Sequence, residues 1–128
     1  MGYASSMYHL DLEIPALPKA LNRALRTHYH QLNKEKRSWH EIMIASVGWR
    51  RPTSPLTSAK LTIVRHYYRT LDYDGLVGSM KPVVDGLIHA GVISDDSWGV
   101  LGQWDVSQKF RPKKLGPLLE INIRELIP

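Results

Sequence analysis

The chain contains no cysteine among its 128 residues. Disulfide bonds and thiolate metal sites are therefore excluded. Any metal ion that this protein binds must be held by oxygen atoms or by imidazole nitrogens.

Long hydrophobic runs are also missing. No apolar run approaches the roughly 18 residues of a membrane span, and the first residues, MGYASSMYHLDL, lack the hydrophobic stretch of a signal peptide. The composition, 43% hydrophobic and 23% charged, is that of an ordinary globular domain. We expect one soluble, cytoplasmic domain that spans residues 1–128 and has no membrane partner.

Acidic residues are fewer than basic ones, 12 against 17, which gives a formal net charge of +5. Four of the 12 acidic residues stand in two aspartate pairs, Asp72 with Asp74 and Asp95 with Asp96, so the remaining surface is more basic than the total suggests. This balance suits an anionic polymer as partner, with an acidic pocket for cations among the lysines and arginines. The alternative is a soluble protein that is basic without a functional reason.

Periodicity predicts four strands. Apolar residues alternate with polar ones from Tyr8 to Ile14, and the segment from Ala59 to Arg69 is β-branched and aromatic. We predict an irregular third strand over 98–109 and a fourth over 118–126, with the last two able to form a hairpin.

Two helices are predicted between these strands. The first covers Lys34–Val47, with Gly48 as a left-handed cap, and the second begins near Ser79 as its N-cap and ends at Ala90-Gly91. Residues 15–30 are expected to form a loop. The pattern indicates an α+β fold, in which a mixed sheet of about four strands packs with two helices.

The two aspartate pairs flank the second predicted helix. Asp72 and Asp74 are one residue apart, so on an extended segment their side chains share a face, and Asp95-Asp96 can join them if the chain folds back. Clustered carboxylates repel one another unless a cation neutralises them, and their hard oxygen ligands suit Mg²⁺ or Mn²⁺. The alternative is that the aspartates are solvated turn residues.

Lys81 lies between the two pairs. A lysine beside carboxylates and a metal ion can neutralise charge that develops on a phosphoryl group. The alternative is an exposed ion pair with Asp85, four residues later.

Histidines offer a different metal site. His28 and His30 could bind zinc with His40 or His66 as a third ligand, but the surrounding arginines and lysines favour solvent or phosphate contact instead.

Aromatic and basic residues suggest nucleic-acid contacts. Trp98, Trp104, Tyr67 and Tyr68 could stack on bases, although core positions are favoured for them. The connection FRPKKLGP should be exposed, and we expect its basic residues to contact phosphates rather than only solvent. These residues are Arg111, Lys113 and Lys114.

Taken in order, these motifs resemble the signature of the RusA family of Holliday junction resolvases. The matching segments are Asp72-Tyr73-Asp74, the run that begins with Lys81 and continues through Asp85-Gly86-Leu87, and Ala90-Gly91 followed by Asp95-Asp96. They cover about a fifth of the chain, and Ile14-Pro15, Pro18 and Asn22 are similar to the family's proline-containing opening. In two departures, Gly75 replaces an asparagine and Lys81 follows Asp74 by seven residues where four is usual.

The resemblance implies a homodimeric, Mg²⁺-dependent endonuclease that cuts four-way DNA junctions symmetrically. Asp72, Asp74 and Asp96 would be the catalytic, metal-binding carboxylates, Asp95 the adjacent ligand, and Lys81 the catalytic lysine. Two other functions remain open. One is cleavage of forks, flaps or other branched DNA, and the other is a DNA-binding accessory role without catalysis.

Overall fold

A four-stranded mixed sheet organises the chain in the computed structural model, which describes residues 7–19 and 29–127. The strands are β1 (His9–Ile14), β2 (Ala59–Tyr67), β3 (Asp105–Phe110) and β4 (Leu118–Glu125). The α-helices are α1 (Tyr29–Val47), α2 (Tyr73–Ser79), α3 (Lys81–His89) and α4 (Trp98–Leu101). Two 3₁₀ turns cover Gly48–Arg50 and Lys113–Leu115.

The strand order is β1-β4-β2-β3, so the last strand in sequence lies inside the sheet. β4 pairs antiparallel with both β1 and β2, whereas β2 and β3 are parallel. The sheet is therefore mixed, and the predicted α+β class is confirmed. β3 and β1 are its two edges.

One face of the sheet is buried and the other is open to solvent. In β1, β2 and β4 every second residue is buried, as with Leu12, Ile63 and Ile121, which stand side by side across the three strands. The long helices α1 and α3 pack closely on each other. A Cβ added at Gly86 in α3 would lie 2.5 Å from Met43 Cγ and 3.0 Å from the Trp39 carbonyl oxygen of α1. The glycine lets the two helices approach this closely.

The predicted first, second and fourth strands agree with the structure to within two residues at each end. The predicted hairpin between the last two strands is wrong, because β3 and β4 pair with opposite edges of β2. The predicted third strand begins too early, since its first residues form α4. The strand proper starts at Asp105.

The helix predictions need two corrections. The first helix begins at Tyr29, five residues before the predicted start, and Gly48 has the expected positive φ of 53°. Residues 81–89 form α3, but a separate short helix, α2, precedes it. The predicted loop over 15–30 falls partly on residues 20–28, which lie outside the described residues.

Within residues 7–19 and 29–127, none of the helices combines the length and the apolar character that crossing a membrane requires.

Candidate functional site

The candidate site begins at the turn that follows β2, where the parallel strands β2 and β3 end side by side. Arg65 Nη1 donates a hydrogen bond to the Arg69 carbonyl oxygen at 2.7 Å, which closes this turn. The amide side chain of Gln108 in β3 then binds both backbone groups of Leu71. Its Oε1 accepts from the Leu71 nitrogen at 3.0 Å, and its Nε2 donates to the Leu71 oxygen at 2.7 Å. The residue before Asp72 is thus fixed against the edge strand.

Asp72 is the N-cap of α2. Its Oδ1 accepts a hydrogen bond from the Gly75 backbone nitrogen at 2.9 Å, and Asp74 lies in the first helical turn. Both aspartates are exposed and lie in the first turn at the positive end of the helix. The prediction of an extended segment with both aspartates on one face is wrong, because the chain turns into a helix between them.

Gly75 leaves room for this cap. A Cβ at this position would lie 2.6 Å from Asp72 Oδ1, so a larger residue would force the capping carboxylate to move. Gly75, which stands where the RusA pattern has an asparagine, therefore allows Asp72 to cap the helix in this position.

Lys81 is the first residue of α3 and is exposed. The predicted N-cap is wrong: Ser79 ends α2, its hydroxyl donates to the Leu76 carbonyl oxygen at 2.8 Å, and Met80 occupies the cap position. Among the described residues, Asp85 Oδ2 lies 4.0 Å from Lys36 Nζ and forms no ion pair with Lys81. The ammonium group of Lys81 is thus available for another anion.

Asp95 and Asp96 follow a short parallel bridge between Ile93 and Leu56. Both aspartates are exposed, and Asp95 Oδ1 accepts from the Ser97 backbone nitrogen at 3.1 Å. The chain then enters α4, which contacts β2 and leads into β3. The second aspartate pair therefore lies near the start of β2 and before β3, whereas the first pair follows the end of β2.

In the part of the chain that the structure describes, no three histidine, aspartate or glutamate side chains lie close enough together to hold one metal ion. The two aspartate pairs thus stand as pairs rather than as one cluster of three or more. Mg²⁺ commonly binds through one or two carboxylates and completes its shell with water and substrate phosphates. Exposed aspartate pairs fit that kind of site.

The connection between β3 and β4 presents the predicted basic residues. Lys113 and Lys114 are exposed, as expected, and Arg111 is half-buried. Arg111 Nε donates to the Gly116 carbonyl oxygen at 2.9 Å, and its backbone nitrogen donates to Tyr67 at 3.0 Å. Arg111 therefore holds the connection against the end of β2, whereas the two lysines project from it.

Tyr67 and Tyr68 lie at the end of β2 with their ring centroids 4.6 Å apart. The Arg65 guanidinium carbon lies 5.2 Å from the centre of the Tyr67 ring. Arg69 and Lys113 lie 5.2 Å and 5.4 Å from the centre of the Tyr68 ring. The tyrosine–cation cluster consists of Arg65, Tyr67, Tyr68 and Arg69 at the end of β2 and of Lys113 from the connection between β3 and β4.

The sequence favours core positions for four aromatic residues, and the structure confirms this for only one of them. Trp104 packs against the core, but Trp98 is 76% exposed, and both tyrosines are only half-buried and lie outside the core. Sequence reasoning missed Arg65 and Arg69 as site residues. The available signal was the pair of arginines that flanks two adjacent tyrosines in RHYYR, residues 65–69.

The proposed zinc ligands are engaged elsewhere or not described. His28 and the side chain of His30 fall outside the description. His66 bonds to Glu120 on the open face of the sheet, and His40 stacks on His89 with ring centroids 4.5 Å apart. Burial lowers the pKa of His40, the positive charges of His89 and Lys36 lower it further, and Asp85 opposes them.

No family model matches the chain, and no curated protein matches it at a significant level. The functional inference therefore depends on the ordered motifs and on the geometry around Asp72.

Proposed function

We propose that this protein is a Mg²⁺-dependent endodeoxyribonuclease that resolves four-way DNA junctions by symmetric phosphodiester cleavage. The observation that carries the proposal is the juxtaposition at the end of β2. There an exposed aspartate pair follows Arg69 by a few residues in sequence, and Arg69 lies beside the Tyr68 ring together with Lys113 from a second segment of the chain. A phosphodiester needs cationic contacts to be held and carboxylates to recruit a divalent ion, and this surface offers both.

Each site residue has a separate role in this proposal. Asp72 and Asp74 would hold Mg²⁺, or Mn²⁺ in its place, on one segment, and Asp96, with Asp95 as an adjacent ligand, would hold it on the other. When bound, the ion supplies an activated water and stabilises charge on the leaving oxygen.

The cationic residues would position the DNA and balance its charge. Lys81, exposed at the start of α3, would neutralise charge on the phosphoryl group in the transition state. Lys113 and Lys114 would hold a duplex arm, and Arg111 would keep their connection in place.

A homodimer suits this substrate. The two strands that are cut in a four-way junction are related by a two-fold axis, and a C2 dimer presents two identical sites related in the same way. Two coordinated cuts then produce two nicked duplexes.

The decisive experiment compares DNA substrates of different shape. End-labelled four-way junctions, replication forks, flaps and plain duplex are incubated with the protein in Mg²⁺, in Mn²⁺ and in EDTA. We expect paired, symmetric nicks in the junction that require the divalent ion, and slower cleavage of the other substrates. Faster cleavage of forks or flaps would make the protein a nuclease of other branched DNA. Tight junction binding without any cleavage in either metal would make it a non-catalytic DNA-binding accessory.

A further inference from the structure

Within the described residues, Arg65 is a buried cation without a carboxylate partner. Its side chain is on the helix-covered face of β2, and the residue is only 6% exposed. Among the described residues, its Nε has no hydrogen-bond partner, and no carboxylate oxygen lies within 4.0 Å of its guanidinium group. A buried guanidinium group without a counter-ion costs free energy, which an anion that binds beside it would offset.

Two more cations lie beside Tyr68, whose ring centroid is 4.6 Å from that of Tyr67. Arg69 and Lys113 come from different segments, yet both lie within 5.4 Å of the centre of the Tyr68 ring. In the described part of the chain neither one forms an ion pair. The negative face of an aromatic ring attracts cations without neutralising them, so Tyr68 can hold two positive charges in place and leave them free to bind an anion.

We propose that the tyrosine–cation cluster is a phosphate-binding site for the DNA backbone, in which Tyr68 positions Arg69 and Lys113 while Arg65 supplies a desolvated charge. The inference rests on the proposed function, because it takes DNA as the ligand. Guanidinium groups donate paired hydrogen bonds to phosphate oxygens, and an ammonium group adds a point charge. Because Arg69 lies three residues before Asp72, a strand bound here would pass beside the aspartate pair.

A neutral substitution tests this role of Tyr68. Tyr68→Leu removes the ring but no charge, whereas Tyr68→Phe keeps the ring and removes only the hydroxyl group. Binding of a fluorescein-labelled four-way junction is measured by anisotropy in EDTA at several salt concentrations. We expect Tyr68→Leu to weaken binding about tenfold and to reduce the slope of log K against log salt by about one, and Tyr68→Phe to match wild type.

A pair of lysine substitutions supplies the matched control. Lys113→Ala should also reduce the salt slope by about one unit, because one phosphate contact is lost. Lys60→Ala removes the same charge, but Lys60 Nζ is already paired with Asp105 Oδ2 at 2.8 Å. Lys60→Ala should leave the slope unchanged. Equal slopes for wild type, Tyr68→Leu and Lys113→Ala would overturn the proposal.

A third arm distinguishes the DNA backbone from free phosphate. Thermal unfolding of wild type and Arg65→Gln is followed in inorganic phosphate and in chloride at matched ionic strength. A site that binds phosphate oxygens predicts that phosphate stabilises wild type more than Arg65→Gln, and the DNA backbone assignment requires in addition the reduced slopes of Tyr68→Leu and Lys113→Ala. If phosphate stabilises wild type but not Arg65→Gln, and the DNA slopes do not change, the site takes free phosphate and the DNA assignment is wrong. The Tyr68 pair keeps the test decisive if Arg65→Gln does not fold.

Failure of this inference and failure of the proposed nuclease give different results. The binding assay is run without a divalent ion, so it is independent of cleavage. Reduced slopes for Tyr68→Leu in a protein that never cuts DNA would support the cluster and refute the nuclease. Normal cleavage with unchanged slopes would refute only the cluster.

Discussion

Asp74 and Asp96 are exposed carboxylates on two separate segments. Among the described residues, neither forms an ion pair with a cation. We expect Asp74→Asn and Asp96→Asn each to abolish junction cleavage and to leave junction binding intact. Removing a negative ligand weakens Mg²⁺ binding far more than it disturbs a basic DNA surface. Gel-shift and cleavage assays on the same preparations test this expectation.

The matched control for these variants is Asp105→Asn, which removes a carboxylate paired with Lys60 at the start of β3. It should cleave at the wild-type rate. Cleavage by both site variants near the wild-type rate at saturating Mg²⁺ would remove Asp74 and Asp96 from the site.

Lys81 should contribute to cleavage rather than to binding. Because Asp85 contacts Lys36 in the described structure, loss of Lys81 breaks no ion pair with Asp85. We expect Lys81→Ala to slow cleavage about a hundredfold or more, about 3 kcal/mol of transition-state stabilisation, with little change in affinity. Lys81→Arg should restore little activity, because a planar guanidinium group does not reproduce a compact charge.

Single-turnover rates measure this effect directly. Lys36→Ala, which removes the lysine that does contact Asp85, serves as the control and should retain the wild-type rate. Rates for Lys81→Ala within a few-fold of wild type would show that the carboxylates act without this lysine.

At the level of single residues, the sequence did not predict the local backbone geometry of the first aspartate pair. The spacing of Asp72 and Asp74 is compatible with a strand, but an aspartate followed three residues later by glycine also suits an N-cap, and the cap forms. Arg65 stands in an alternating strand where an apolar residue is expected. The groups around its side chain come from distant parts of the sequence, so the pattern alone could not reveal that its Nε has no hydrogen-bond partner among the described residues.

Among the elements, the contact of α1 with α3 sets a tight steric limit at Gly86. We expect Gly86→Ala to lower the free energy of unfolding by about 1–3 kcal/mol, because the added methyl group meets Met43 and the Trp39 backbone. This cost exceeds the gain of about 1 kcal/mol in helix propensity that alanine brings. Urea denaturation followed by circular dichroism measures the change.

Gly99→Ala in α4 is the matched control, since nothing lies within 4 Å of its added Cβ. This variant should be as stable as wild type or slightly more stable. A Gly86→Ala protein with wild-type stability would mean that the helices separate at little cost.

The same pair of helices carries a pH-sensitive contact. His40 of α1 stacks on His89 of α3 beside Lys36 and Asp85, and burial holds the pKa of His40 below its usual value of 6.5. The unfolded chain therefore binds this proton more readily, so acid favours unfolding. We expect the free energy of unfolding to be constant above about pH 7 and to fall as the pH decreases through about 6 towards 5.

His40→Leu should remove part of this pH dependence. Equal pH profiles for His40→Leu and wild type, from denaturant titrations at each pH, would exclude His40 as the group responsible.

The strands were predictable where burial alternates, because β1, β2 and β4 each place every second side chain in the core. Their order was not. Proximity in sequence favours a hairpin of β3 with β4, but burial decides otherwise. β4 contributes Leu119, Ile121 and Ile123 to the core and needs neighbours on both sides, whereas β3 is largely exposed and suits an edge.

For the molecule as a whole, excess positive charge should govern affinity for DNA. We expect binding to weaken steeply as salt concentration rises, because lysines and arginines displace counterions from phosphates. Replacing both Lys113 and Lys114 with alanine should reduce the slope of log K against log salt by up to about two units. Anisotropy titrations over a range of salt measure it, and an unchanged slope would mean that this connection is only solvated.

The central position of β4 also determines when the protein can fold during synthesis. β1 and β2 are not paired with each other but through β4, whose register with β2 runs from Leu118 to Glu125. Until the ribosome has released these residues, both earlier strands expose unpaired backbone edges and apolar side chains, which favours aggregation. The sheet then closes through contacts between distant parts of the chain, which makes folding slow relative to that of a helical protein of similar size.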